Sequence, residues 1–427
     1  MASNSLIIET DRTTPLVWFR IAIRGGTATD DVGAEGSARH AALLARRGAG
    51  GQTRAQIDES MDQLGASVGP RIARDAIGFT GVCLSRNLDA VMATASDVVC
   101  RPDWDADEHA KLVRESRSVL DDMRDDDDQL AVRFFARYVA PGHTYSRTTV
   151  GTTETLDNFD RQTIAAAFSK TTVNDNVLLG FAGDIDEGRA LRLEASLRSG
   201  LGSGPAPTPP DVTAPSAPRQ RKIYLIDKPE RSQSQLLLGH VAPRYGSDDH
   251  TALIPAETIF GGMFTSRLNQ QVRVKRGWSY GAGCTLERAR GDYWFSMYLA
   301  PSADVTVPAL ELVLEQYEQL AKAGLDADEV AFAKSYLAGS MPFATATCRQ
   351  RMNVTLGARL FGLPDDYRQQ LGAQLAALSR EQINEAARAW LRPDDLCVII
   401  VATADDMLPR LHDRGFREID VIPYDSY

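Results

Sequence analysis

The chain carries few of the residues that would announce a common chemistry, and each shortage excludes something. Its 427 residues include five cysteines (Cys83, Cys100, Cys284, Cys348, Cys397), odd in number, scattered and without a C-x-x-C pair. That excludes a disulfide framework or thiolate zinc site and fits reduced core thiols in the cytoplasm. None of the six histidines forms an H-x-x-x-H pair, and there is no P-loop or G-x-G-x-x-G, so neither a two-histidine metal helix nor a nucleotide site is expected. No run approaches the roughly 18 apolar residues of a membrane span. Met1–Glu9 has neither a basic start nor a long apolar stretch and reads as no signal peptide. Positive charge is also short: 47 Lys and Arg against 57 Asp and Glu leave a net charge of −10. Nucleic acid and anionic membranes are therefore not the expected partners.

What the sequence does contain is organised in two. A Gly-, Pro- and Ala-rich stretch from Gly200 to Pro218 holds six prolines and reads as an extended linker. Asp105-Ala106-Asp107-Glu108 recurs as Asp326-Ala327-Asp328-Glu329, 221 positions on. Arg161 and its neighbours recur around Arg380, and the strand-like Val177–Ala182 recurs as Leu396–Val401, both 219 positions on. One shared register indicates an internal duplication. Strand-like runs such as Leu16–Ile23 and Gln235–Gly239 are grouped with helical stretches, among them Leu88–Val99 and Val307–Ala321. The expected fold is α+β, each half a sheet with helices packed on one face. The expected boundaries are 1–203, a linker over 204–220, and 221–427.

The segment Gly36-Ser37-Ala38-Arg39-His40-Ala41-Ala42-Leu43-Leu44-Ala45-Arg46-Arg47-Gly48 resembles the zinc helix of the pitrilysin/insulinase family, whose motif is H-x-x-E-H. Arg39, Ala42 and Leu43 stand at the motif's three positions. A guanidinium only donates and repels a cation, and Ala and Leu have no lone pair. Further stretches resemble the family in order: Arg54–Ala66, Pro141–Arg147, Asn176–Asp184, Ile259–Leu268, Val272–Tyr280 and Phe361–Tyr367. The family's third ligand, a glutamate, falls in a pattern read here as Glu115 followed by Asp122. Two readings of Asp122 stand: an ion pair with Arg39 in place of the metal, or part of a solvated acidic helix end. His40 has no ligand at helical spacing and reads as a structural histidine.

Gly277-Trp278-Ser279-Tyr280-Gly281 matches G-x-S-x-G, but the expected order of helix before and strand after is the reverse of a nucleophile elbow. The resemblance instead directs attention to Arg273 and Tyr280, which in the family reach bound peptide near the zinc, with Arg276 as a second candidate. Gly277 suits a helix C-cap that would bring Tyr280 back toward Arg273. The resemblance implies a subunit inactive alone, without a metal of its own. It would pair with a paralogous H-x-x-E-H subunit that carries zinc, and complete a chamber for peptide. The alternative is a structural or peptide-binding core-type subunit with no part in proteolysis.

Overall fold

Leu16–Arg24 turns Val17, Phe19, Ile21 and Ile23 into one apolar cluster and Trp18 and Ala22 into another. A strand apolar on both sides must be covered on both sides, and this requirement shapes the whole fold. The computed structural model describes residues 5–208, 210, 212 and 220–426. They form two compact units, one made of Met1–Leu120, Thr148–Pro210 and Pro342–Tyr367, the other of Asp121–Arg147, Asp211–Met341 and Arg368–Tyr427. The units are thus not the continuous stretches 1–203 and 221–427, because each includes a segment from the other stretch. Within the expected linker, residues 209, 211 and 213–219 lie outside the described residues.

In the first unit the main sheet's strands are β1 (Leu6–Thr10), β2 (Leu16–Arg24), β3 (Ser67–Ile72), β4 (Ala76–Leu84) and β5 (Val177–Gly183). They line up as β1-β5-β2-β4-β3, with β1 parallel to β5 and every other pair antiparallel. The second unit has β6 (Lys222–Asp227), β7 (Gln235–Ala242), β8 (Ala282–Leu286), β9 (Tyr293–Leu299), β10 (Cys397–Ala402) and β11 (Ile419–Pro423). Its order, read from β6, is β6-β10-β7-β9-β8, again with only the first pair parallel, and β11 adds a parallel strand outside β6. The two sheets therefore share one topology, and the α+β class and the duplication are both visible in it.

The exchanged segments cover the sheet faces opposite each unit's main core. Cys348, Met352, Leu356 and Leu360 recur every fourth residue along the Cys348–Leu360 helix and pack with Ile7, Ala22, Leu178 and Ala182. The helix lies so close that a Cβ on Gly180 would stand 2.9 Å from Met352. In the second unit the Asp127–Val139 helix packs on β7 and β10. There a Cβ on Gly239 would meet the Phe295 carbonyl oxygen at 2.1 Å and the Phe135 ring at 2.8 Å. Helices thus lie on both faces, where the sequence suggested one.

The acidic run that ends the Ala106–Asp125 helix is anchored by a buried lysine. Lys228 Nζ donates to the Arg124 carbonyl at 2.6 Å, the Asp125 carbonyl at 3.1 Å and the Asp127 carboxylate at 2.7 Å. It satisfies the carbonyl end of one helix and pairs with a carboxylate at the start of the next.

Candidate functional site

The Ser37–Ala45 helix begins at Gly36, where φ is +89° and a Cβ would stand 2.5 Å from the Val150 carbonyl oxygen. Glycine alone suits that conformation. The capping group comes from further back: the Asp30 carboxylate accepts from Gly36 N–H at 2.8 Å, Ala38 N–H at 2.9 Å and Ser37 Oγ at 2.9 Å. Three donors at a helix N-terminus suit a carboxylate. Asp30 escaped the sequence reading because it lies six residues before the cap.

Along this helix Ala42 is fully buried and Leu43 half-buried. Arg39 is half-buried, its pKa lowered by burial, and it makes no ion pair among the described residues. Asp122 is exposed and also unpaired among them. Of the two readings of Asp122, its exposure fits the solvated acidic helix end. Long flexible side chains gain little from pairing in water.

His40 is buried, as a structural histidine should be, and Nε2 lies 2.9 Å from His109 Nδ1. The Phe159 ring packs edge-on at 5.1 Å. Burial, then the neighbouring His109, Arg39 and Arg47, push the His40 pKa down to about 3. Just past the end of this helix, Arg47 grips Glu115 through both guanidinium nitrogens and lies 3.6 Å from Glu108. Glu115, the first carboxylate of the downstream pattern, is thereby engaged by an arginine. Among the described residues no three His, Cys, Asp or Glu side chains converge as a metal site would need. The donor set here does not fit a zinc ion.

The other candidate segment lies in the second unit. After the Asp248–Glu257 helix the chain makes two widened π-helical turns, Thr258–Gly262 and Gln270–Val274. Such turns are frequent at functional sites because they re-aim side chains. Gly277, at φ +65°, closes the second: its N–H donates to the Arg273 carbonyl at 3.0 Å, and Trp278 N–H donates to the Val272 carbonyl at 3.0 Å. This is the expected glycine C-cap.

The reversal brings Arg273 and Tyr280 together. The guanidinium carbon lies 4.7 Å from the Tyr280 ring centroid and 5.0 Å from that of Phe264. Tyr280 is 89% exposed and Phe264 65% exposed, so the guanidinium lies beside two solvent-exposed rings. No hydrogen bond or ion pair engages the Arg273 guanidinium or the Tyr280 hydroxyl among the described residues. Arg276 differs: it bonds the Gln271 carbonyl at 3.0 Å and side chain at 2.9 Å, and lies over Trp278. Phe264 was missed by sequence reasoning, since a lone Phe after a Gly-Gly pair carries no periodic signal.

Ser279 is buried, donates to the Gly281 carbonyl at 2.6 Å and accepts from Ala300 N–H at 3.1 Å. A strand, not a helix, follows it at Ala282, so the serine is a turn residue.

Comparisons with known proteins agree with this picture. The profile of the family described as "Peptidase M16 inactive domain" matches residues 158–337. A Helicobacter pylori protein described as "Non-peptidase homolog YmxG" is 21% identical over 404 residues, covering 94% of this chain and 92% of that protein. A Pseudomonas fluorescens structure titled as a peptidase M16 inactive domain superposes with TM-score 0.86 at 23% identity, covering 93% of this chain and 94% of the other. The Escherichia coli periplasmic protease PqqL gives TM-score 0.75 at 14% identity, covering 97% of this chain and 49% of PqqL.

Proposed function

We propose that the chain, which matches the peptidase M16 inactive domain over residues 158–337 and has no ligands left at the positions of the zinc motif, is the non-zinc subunit of a heterodimeric zinc metallopeptidase. The observation that carries this reading is the uncommitted Arg273 held beside an exposed Tyr280, while Arg39, Ala42 and Leu43 leave no place for a metal. A core protein with only a packing role has no use for an unpaired arginine beside two exposed rings.

In this reading the chain forms one part of the peptide chamber and lends donors to a partner. The partner, a paralogous H-x-x-E-H subunit, would carry the zinc, which supplies the activated water. From this chain, the Arg273 guanidinium and the Tyr280 hydroxyl would hydrogen-bond the oxygen of the peptide carbonyl under attack. Donors fixed in advance stabilise the negative charge that develops there more than they stabilise the substrate. The rings of Phe264 and Tyr280 both contact the guanidinium, which reduces the ordering left to be done at reaction. The match to about half of PqqL supports a whole built from two such units. Among the described residues no helix is long and apolar enough to cross a membrane, and the five free cysteines support a cytoplasmic setting.

Co-expression with an H-x-x-E-H relative from the same genome tests the assembly. The account predicts a stable 1:1 complex that cleaves peptide, with neither chain active alone. Failure to associate with any such relative would leave the structural reading in its place.

A further inference from the structure

The second unit contains an open cleft of about 880 Å³ between the Thr258–Val274 segment and the Thr306–Ala323 and Ala327–Ser340 helices. Its position is informative. Ile259 and Met263, on its wall, stand 220 positions after Arg39 and Leu43, the outer positions of the degenerate motif. Arg267, also on the wall, pairs with Glu329 at 2.7 and 2.5 Å, just as Arg47, 220 positions earlier, meets Glu108, 221 earlier. In the first repeat His40 packs against His109. In the second repeat Phe260, 220 positions after His40, is buried in the core, and the cleft beside it stays open.

We propose that this cleft binds a short, uncharged, extended stretch of peptide with a large apolar side chain seated between Met263 and Phe332. The proposal deepens the reading above, since it rests on the chain handling peptides. Three observations specify the occupant. The volume lies within the ~300–1,000 Å³ range of ligand sites and exceeds what one side chain needs. Next, the walls offer no spare positive charge: Arg267 is spent on Glu329, and Asp328 adds a negative one. Phosphates, nucleotides and acidic peptides are therefore disfavoured.

Last, four glutamines (Gln270, Gln271, Gln316, Gln319) line the cleft together with Phe332, which is 51% exposed. A carboxamide both donates and accepts, as a peptide group does. Gln271 is taken up by Arg276, and the Gln316 amine donates to Gln319 at 3.3 Å. The Gln316 carbonyl oxygen and the whole Gln270 amide remain unpaired among the described residues, available to main-chain N–H and C=O groups.

The test uses the full chain alone, without any partner, so its outcome does not depend on the heterodimer. Fluorescence anisotropy is measured with a fluorescein-labelled peptide Gly-Ser-Leu-Phe-Leu-Ser-Gly and a control in which the three central residues are Gly-Ser-Gly. The expected result is saturable binding of the first peptide, weakened about tenfold or more by Phe332→Glu and by Met263→Glu. Gln316→Ala should weaken it severalfold, and Val32→Glu, an equal charge change in the other unit, should leave it unchanged. Titrating the peptide into wild type should also shift the methyl resonance of isotope-labelled Met263, a readout that needs no variant to fold. No saturation below about 1 mM, equal affinity for the control peptide, or a still Met263 resonance during saturable binding would overturn the proposal.

Discussion

The Arg273 guanidinium carbon lies 4.7 Å from the ring of Tyr280, seven residues on, and no carboxylate among the described residues neutralises it. A third residue, Phe264, has its ring centroid 5.0 Å from the same carbon. An exposed contact of this type is worth about 0.5–1 kcal/mol. Phe264→Ala in the reconstituted complex should therefore lower kcat by a few-fold and leave complex formation intact. If the variant has wild-type turnover, Phe264 takes no part in holding the guanidinium.

The purified chain should hold no stoichiometric zinc. Arg39, Ala42 and Leu43 offer no lone pair, and His40 is committed to His109 with its pKa pushed down to about 3. Elemental analysis after gel filtration in micromolar zinc checks this. One zinc per chain that disappears in His40→Gln would contradict it.

The exchanged helices make two strand glycines unequal in cost. At Gly180 an added methyl meets Cγ and Sδ of the Met352 side chain at 2.9 and 3.0 Å, an unbranched chain that can shift within its packing; at Gly239 it meets the Phe295 backbone oxygen at 2.1 Å, which cannot. Gly180→Ala should cost about 1 kcal/mol or less, and Gly239→Ala more than ~2 kcal/mol. Met352→Ala should cost ~2–5 kcal/mol because that side chain is fully buried. Urea denaturation midpoints rank the three, and equal losses at the two glycines would show that the strand relaxes.

Much of this architecture is legible in the residues themselves. The α+β class, the repeat and the C-cap at Gly277 follow from periodicity, register and a glycine where φ is positive. The Arg273–Tyr280 meeting was legible too, because a glycine-capped helix end reverses the chain over a short span. The helix exchange was not, since Met352 and Phe135 look like ordinary apolar helix positions whichever sheet they cover. Nor was the His40–His109 contact, which joins residues 69 apart through a helix packing that no local pattern encodes. For Asp122 the pattern left two readings open, and its solvent exposure fits the acidic helix end.

Histidine burial gives stability a definite pH dependence. His40 is held neutral down to about pH 3, whereas an unfolded histidine takes up a proton near 6.5. Below pH 6.5 the unfolded chain binds the extra proton and the folded chain does not, so stability falls as pH drops through the window from 6.5 to about 3. The slope from one such group approaches ~1.4 kcal/mol per pH unit. His240 and His250, both lowered to about 4 by burial, act in the same direction, so the informative quantity is a difference. His40→Gln should lose less stability between pH 6.5 and 5 than wild type does. Parallel pH profiles would show that His40 is protonated in the folded chain.

The most direct test of the whole account is kcat of the reconstituted complex carrying Tyr280→Phe, a change that deletes one hydroxyl from an exposed ring. If that hydroxyl stabilises the oxyanion, kcat should fall by about 10²–10³, less if the metal shares the charge, with assembly unchanged. Arg273→Ala should act similarly, the double variant should fall short of the product of the two losses, and Arg276→Ala should matter less. Wild-type kcat in both the Tyr280→Phe and Arg273→Ala complexes would contradict the account and leave the chain a structural subunit.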